Sequence, residues 1–108
     1  MKIKTLNKLG RNKIPAILEK KGEHAITRIL FSDAEYTAAL YTKLQEEVAE
    51  FLETPVAEEL ADILEVVHAL APLVAGSFEE LEKVRLAKAE ARGGFDGRIF
   101  IEKIHRKF

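Results

Sequence analysis

Two octets in the middle of the chain carry the same order of side chains. Glu46-Glu47-Val48-Ala49-Glu50-Phe51-Leu52-Glu53 is followed by Glu58-Glu59-Leu60-Ala61-Asp62-Ile63-Leu64-Glu65. Each reads acid, acid, apolar, small, acid, apolar, apolar, acid. On a helix, at about 100° per residue, Glu46, Glu47, Glu50 and Glu53 fall within an arc of roughly 120°. Leu44, Val48, Phe51 and Leu52 take the opposite side. Glu58, Glu59, Asp62 and Glu65 repeat that arc, opposed by Leu60, Ile63, Leu64 and Val67. Glu47 and Glu59 fall toward the apolar border, where water is partly withdrawn. Acids three or four residues apart on a helix repel. Two matched clusters that meet across one turn need a neutralising cation, and hard divalent ions bind carboxylate oxygens best. Such an ion can hold a phosphate chain and make a water more nucleophilic. Spacing alone also leaves open a pair of solvated acidic faces.

The flanking sequence supplies the elements that position these stripes. Ser32-Asp33-Ala34-Glu35 is a capping box that opens a long helix expected to run to about Glu53. Thr54-Pro55 reads as a cap followed by a first-turn proline, so a second helix is expected almost at once, to about Ala75. Pro72 removes a backbone donor, which predicts an end or a kink near residue 71. Ser77-Phe78-Glu79-Glu80 is a second capping box, opening a third long helix from about 78 to Arg92, closed by Gly93-Gly94. A short helix is expected over about 13–21, with Asn12 as its cap, Pro15 in its first turn and Gly22 after it. Residues 23–31 partly alternate, as in a short strand or an extended linker. Ile99-Phe100-Ile101 reads as a short strand, placed beside 26–30, or the basic, apolar tail from Phe95 to Phe108 is helical. The fold class expected is all-α: an antiparallel helix bundle with four helices, one short and three long, in a single domain over residues 1–108.

Composition bounds the function. The chain has 108 residues, 47% apolar and 32% charged, with a formal net charge of -1. No global field draws it to nucleic acid or to an anionic membrane. The absence of cysteine excludes disulfides and thiolate metal sites. The basic N-terminus lacks the apolar core of a signal peptide, and Val66 to Ala75 is too short to span a bilayer. The expected location is the cytoplasm.

Glu47-Val48-Ala49-Glu50 with Glu59-Leu60-Ala61-Asp62 resembles the E-x-x-E … E-x-x-D signature of the all-α nucleoside triphosphate pyrophosphohydrolases, the MazG and phosphoribosyl-ATP pyrophosphohydrolase-like proteins. Lys8-Leu9-Gly10-Arg11-Asn12-Lys13-Ile14-Pro15 resembles the K-L-V-R-D-K-I-P opening of a small MazG-like subgroup, with Gly10 and Asn12 in place of valine and aspartate. Lys88-Ala89-Glu90-Ala91-Arg92-Gly93-Gly94-Phe95 resembles that subgroup's K-x-x-x-R-G-G-F ending. The resemblance covers about residues 6–100. It implies an α-helical fold completed by oligomerisation, as a homodimer or homotetramer. It implies magnesium, with manganese as a substitute, held by Glu47, Glu50, Glu59 and Asp62. It also implies hydrolysis of a nucleotide between its α and β phosphates, giving the monophosphate and pyrophosphate.

The catalytic set expected is Glu46, Glu47 and Glu50. Glu46 and Glu58 are helpers or general-base candidates, and Glu53 and Glu65 are bystanders. Arg11 and Lys13 are candidate anion contacts at the entry of the short helix. Lys88 and Arg92 share one face of the third long helix. Locally they read as a basic helix end favoured by the macrodipole, but the resemblance makes them, with Arg98, candidate phosphate ligands. Phe95 is read equally as a base-stacking or a packing residue. The three histidines show no ligand spacing. The leading expectation is a house-cleaning nucleotide pyrophosphohydrolase. The alternatives are phosphoribosyl-ATP hydrolysis in histidine synthesis, and a non-catalytic acidic helical module that binds a basic partner.

Overall fold

Ser32 sets the frame of the molecule. Its hydroxyl oxygen accepts from the Glu35 amide at 3.3 Å, and helix α2 (Asp33–Glu53) follows. Ser77 does the same for α4 (Phe78–Arg92), accepting from the Glu80 amide at 3.1 Å. In both boxes the glutamate side chain turns outward instead of reaching back. Glu35 pairs with Arg28, and Glu80 with Lys83. Between them lies α3 (Ala57–Ala75), and α1 (Ile14–Lys20) precedes all three. The computed structural model describes residues 2–106. It is all-α, with one short and three long helices, and no strand among the described residues.

The boundaries follow the sequence with local corrections. Thr54 closes α2, its amide donating to the Glu50 carbonyl at 2.9 Å, and does not cap the next helix. The N-cap of α3 is Val56, which offers no side-chain cap, so the helix begins at Ala57. The residue before a proline is held extended, which keeps Thr54 out of the helix and delays the restart. Asn12 does not cap α1; the N-cap is Lys13, again without a side-chain bond. Pro72 does not end α3, which continues to Ala75. In the last turn a missing donor costs only one backbone bond. Gly76 stops the helix in the left-handed region, at φ 90°, where a Cβ would be strained.

Residues 23–31 are an extended linker, and Ile99-Phe100-Ile101 is neither strand nor helix. Ile26, Phe31, Ile99 and Phe100 are almost fully exposed. A single extended segment has no ladder partner to hold it as a strand. The expectation for the tail's last residues, Lys107 and Phe108, lies outside the described residues.

The three-residue connection at 54–56 makes α2 and α3 an antiparallel packed pair. Helix α4 packs against α3 after a 93° bend at Gly76-Ser77. His68 and Phe78 stack across that corner, with centroids 3.7 Å apart. Among the described residues, α1 packs on no other helix. The radius of gyration is 19.1 Å, against about 13 Å for a compact domain of this length. Among the described residues, the buried apolar ones are only Leu40, Val66 and Ala71. No single helix among the described residues is long and apolar enough to cross a membrane.

Candidate metal centre

The seam between α2 and α3 is lined by acid. Glu47 is buried, with 7% of its surface exposed, and is the one buried charged residue among those described. It lies on the side of α2 that meets α3, whereas Leu52 on the same helix is 73% exposed. Glu59 on α3 is half-buried and Glu50 is exposed. One carboxylate oxygen from each of Glu47, Glu50 and Glu59 lies within 4.8 Å of the other two. Metal–oxygen bonds of about 2.1 Å for magnesium, or 2.3–2.6 Å for calcium, place two ligand oxygens at most about 4–5 Å apart. The three carboxylates therefore already stand on the scale of one coordination sphere.

Two oxygens in this cluster have nothing to bind. Glu47 Oε2 and Glu59 Oε2 are both shielded from solvent and accept no hydrogen bond. A buried carboxylate oxygen without a donor is strongly unfavourable. An oxygen-seeking cation satisfies both at once, so the residues present fit magnesium or another hard divalent ion.

Cations already surround part of the cluster. Lys43, one turn before the stripe on α2, lies 3.3 Å from Glu47 Oε1 and 3.6 Å from Glu46 Oε1. Lys8 Nζ donates to Glu46 Oε1 at 2.8 Å, and Arg11 Nη2 donates to Asp62 Oδ1 at 2.7 Å. Glu46, Glu47, Glu50, Glu59 and Asp62 thus face three cations, which leaves two negative charges.

The carboxylates differ in proton affinity for identifiable reasons. Glu50 is held above the ordinary carboxyl range, chiefly by the adjacent Glu47 carboxylate. Desolvation, then Glu59 and Glu46, push the same way. Glu46 is held below the ordinary range, chiefly by its bond from Lys8. The same bond raises the Lys8 ammonium.

Of the residues expected at the site, the structure brings together Glu47, Glu50 and Glu59, with Asp62 one turn further along α3 and held by Arg11. Glu53, Glu58 and Glu65 are exposed outside this cluster. Among the described residues, Lys13, Lys88, Arg92 and Arg98 are exposed and make no ion pair. Arg98 adopts a positive φ of 57° in the loop after α4, and Phe95 in that loop is 99% exposed. Lys8 and Lys43 were not singled out by the sequence reading. Lys43 carries a readable signal, since it precedes Glu46 and Glu47 by three and four residues. Lys8 opens the block that resembles K-L-V-R-D-K-I-P, but nothing in the sequence names Glu46 as its partner, 38 residues away.

Comparison of the chain with protein-family models, with curated proteins and with solved structures finds no match.

Proposed function

We propose that this protein is a magnesium-dependent nucleotide pyrophosphohydrolase, cutting a nucleoside triphosphate between its α and β phosphates. The observation that carries the reading is the pair of shielded, donorless oxygens on Glu47 of α2 and Glu59 of α3, which meet across the seam with Glu50 beside them. The resemblance of the two stripes and their flanks to the MazG-like pyrophosphohydrolases supplies the reaction class.

In this reading Glu47, Glu50 and Glu59 hold the metal, and Asp62 completes the set. A bound magnesium ion, or manganese in its place, supplies charge neutralisation of the phosphate chain and a more acidic water. Glu47 is fixed by burial and by Lys43, so it orients the site without moving. Glu58, exposed and outside the ligand set, is a candidate to take the proton of the attacking water. Glu46 is tied to Lys8 and Lys43 and is the poorer base. Lys88, Arg92 and Arg98 would meet the phosphates of the substrate, together with Arg11 and Lys13.

The same reading makes the protein a homo-oligomer, dimer or tetramer. Leu60 and Leu64 on α3 are each 53% exposed, and with Ala57, Ala61, Ile63 and Val67 they line an apolar hollow of about 450 Å3. A second copy that covers this face supplies the core the single chain lacks.

The test is a panel of nucleoside triphosphates and phosphoribosyl-ATP, with and without magnesium, scored for pyrophosphate and monophosphate. Magnesium-dependent pyrophosphate release is expected, with its loss in Glu50→Gln and Asp62→Asn while circular dichroism shows the helices intact. Full activity in either variant sinks the assignment. No turnover of any nucleotide favours the non-catalytic acidic module.

A further inference from the structure

The segment before α1 forms no helix or strand, yet it fixes two of its side chains on the acidic seam. Lys8 lands on Glu46 of α2 and Arg11 on Asp62 of α3, so the segment bridges both helices at the cation cluster. We propose that residues 8–11 are a displaceable cationic strap. It occupies the outer carboxylates of the seam when no divalent ion is bound, and it leaves when one binds. This inference rests on the reading of the seam as a cation site.

The geometry favours exchange over permanent closure. Arg11 donates to Asp62 Oδ1 at 2.7 Å and takes up part of that carboxylate's acceptor capacity. A guanidinium and a divalent cation also repel at this range. The strap contacts are weakly held: the Lys8 and Arg11 side chains remain 41% and 55% exposed. Exposed ion pairs of this kind contribute little each and weaken with salt. Lys43 differs. It is carried on α2 itself, is only 20% exposed and sits three and four residues from its partners, so it stays when the strap leaves. Release of Lys8 and Arg11 raises the net negative charge of the seam from two to four. The incoming ion therefore meets a more negative site, and Asp62 is freed as a further ligand. The released cations are then available to an anionic phosphate chain.

The chain has no cysteine among its residues, so a single Thr5→Cys substitution gives one labelling point beside the strap. The full-length protein labelled there with a fluorophore is titrated with manganese, with label anisotropy and calorimetric heat both followed. Anisotropy is expected to fall in step with saturable manganese binding. Lys8→Ala/Arg11→Ala is expected to bind manganese about tenfold more tightly, the sum of two weak ion pairs no longer broken. Glu50→Gln is expected to lose both the heat and the anisotropy change. Saturable binding with unchanged anisotropy, or weaker binding in the double variant, overturns the strap and leaves the cation site standing. No saturable binding to the unsubstituted chain overturns both.

Discussion

The inner and outer faces of the α2–α3 pair each hold side chains that two amphipathic helices alone in water would place on the other, although Leu40 on α2 and Val66 and Ala71 on α3 are buried as such helices require. The seam holds Glu47, the one buried charge among the described residues, while Leu52, Leu60 and Leu64 on the same helices face solvent. A lone helical hairpin gains most by closing its leucines together and leaving its carboxylates wet. The buried Glu47 and the exposed leucines each leave the single chain unsatisfied, and each for its own chemical reason. The seam holds more carboxylates than cations, and the leucines of the outer face lack apolar cover. In the function proposed above, a divalent cation would answer the first and a second copy of the chain the second.

The largest expected effect breaks the seam. Glu47→Gln keeps the shape but removes the fixed charge, and pyrophosphate release is expected to fall a hundredfold or more, since even groups supporting a metal ligand are worth about 10–100-fold. Glu47→Leu is expected to go further and raise the stability of the metal-free protein by about 1–2 kcal/mol, because a buried, incompletely paired charge becomes an apolar contact. Chemical denaturation in a chelator checks this. A loss of stability there would mean that Lys43 already compensates the carboxylate.

The outer face breaks differently. Leu60→Asp with Leu64→Asp is expected to weaken self-association about a hundredfold or more, since truncating or charging a central apolar anchor often costs that much. Analytical ultracentrifugation reads it directly. An unchanged sedimentation coefficient would place the oligomer contact elsewhere.

Proton linkage sharpens the contrast between acids in the seam. The Glu50 pKa is raised in the folded state, chiefly by Glu47. Its contribution to stability is therefore complete below the unfolded carboxyl pKa and is lost as pH rises through the folded value. The Glu46 pKa is lowered, chiefly by Lys8, so its contribution is present above the unfolded value and is lost as pH falls through the folded one. The metal-free protein is expected to gain stability on mild acidification from neutral pH and to lose it in stronger acid. Glu50→Gln should remove the mild-acid gain, and Lys8→Ala should blunt the strong-acid loss, both visible in Tm against pH. A Glu50→Gln profile that keeps the gain would contradict the coupling to Glu47.

The smallest expected effect lies outside both faces. Ser77→Ala removes the N-cap of α4 and is expected to cost about 1 kcal/mol, with manganese binding unchanged. Thermal denaturation and a manganese titration of the same sample separate the two quantities.

The long helices were legible because their ends are written locally: Ser32 and Ser77 as caps, Gly76 and Gly93 as stops. The start of α3 was less legible, because Thr54-Pro55 carries the letters of a cap and a first turn while the chain there is still extended. The convergence of Glu47, Glu50 and Glu59 followed from helical phase and a short turn. The partial desolvation of Glu47 and Glu59 also followed from their place at the apolar border, but the exposure of Leu52, Leu60 and Leu64 did not, since it depends on how the two helices rotate about their axes. The pairing of Lys8 and Arg11 with the stripes was equally hidden, since it spans 38 and 51 residues through irregular backbone with no period to read.

The central claim, that the acidic seam is a divalent cation site, is tested most directly by growing crystals with manganese and measuring anomalous scattering. A single strong anomalous peak bonded to oxygens of Glu47, Glu50 and Glu59 is the result expected, with Arg11 withdrawn from Asp62. No peak in the seam at saturating manganese, with Arg11 still seated on Asp62, would contradict it.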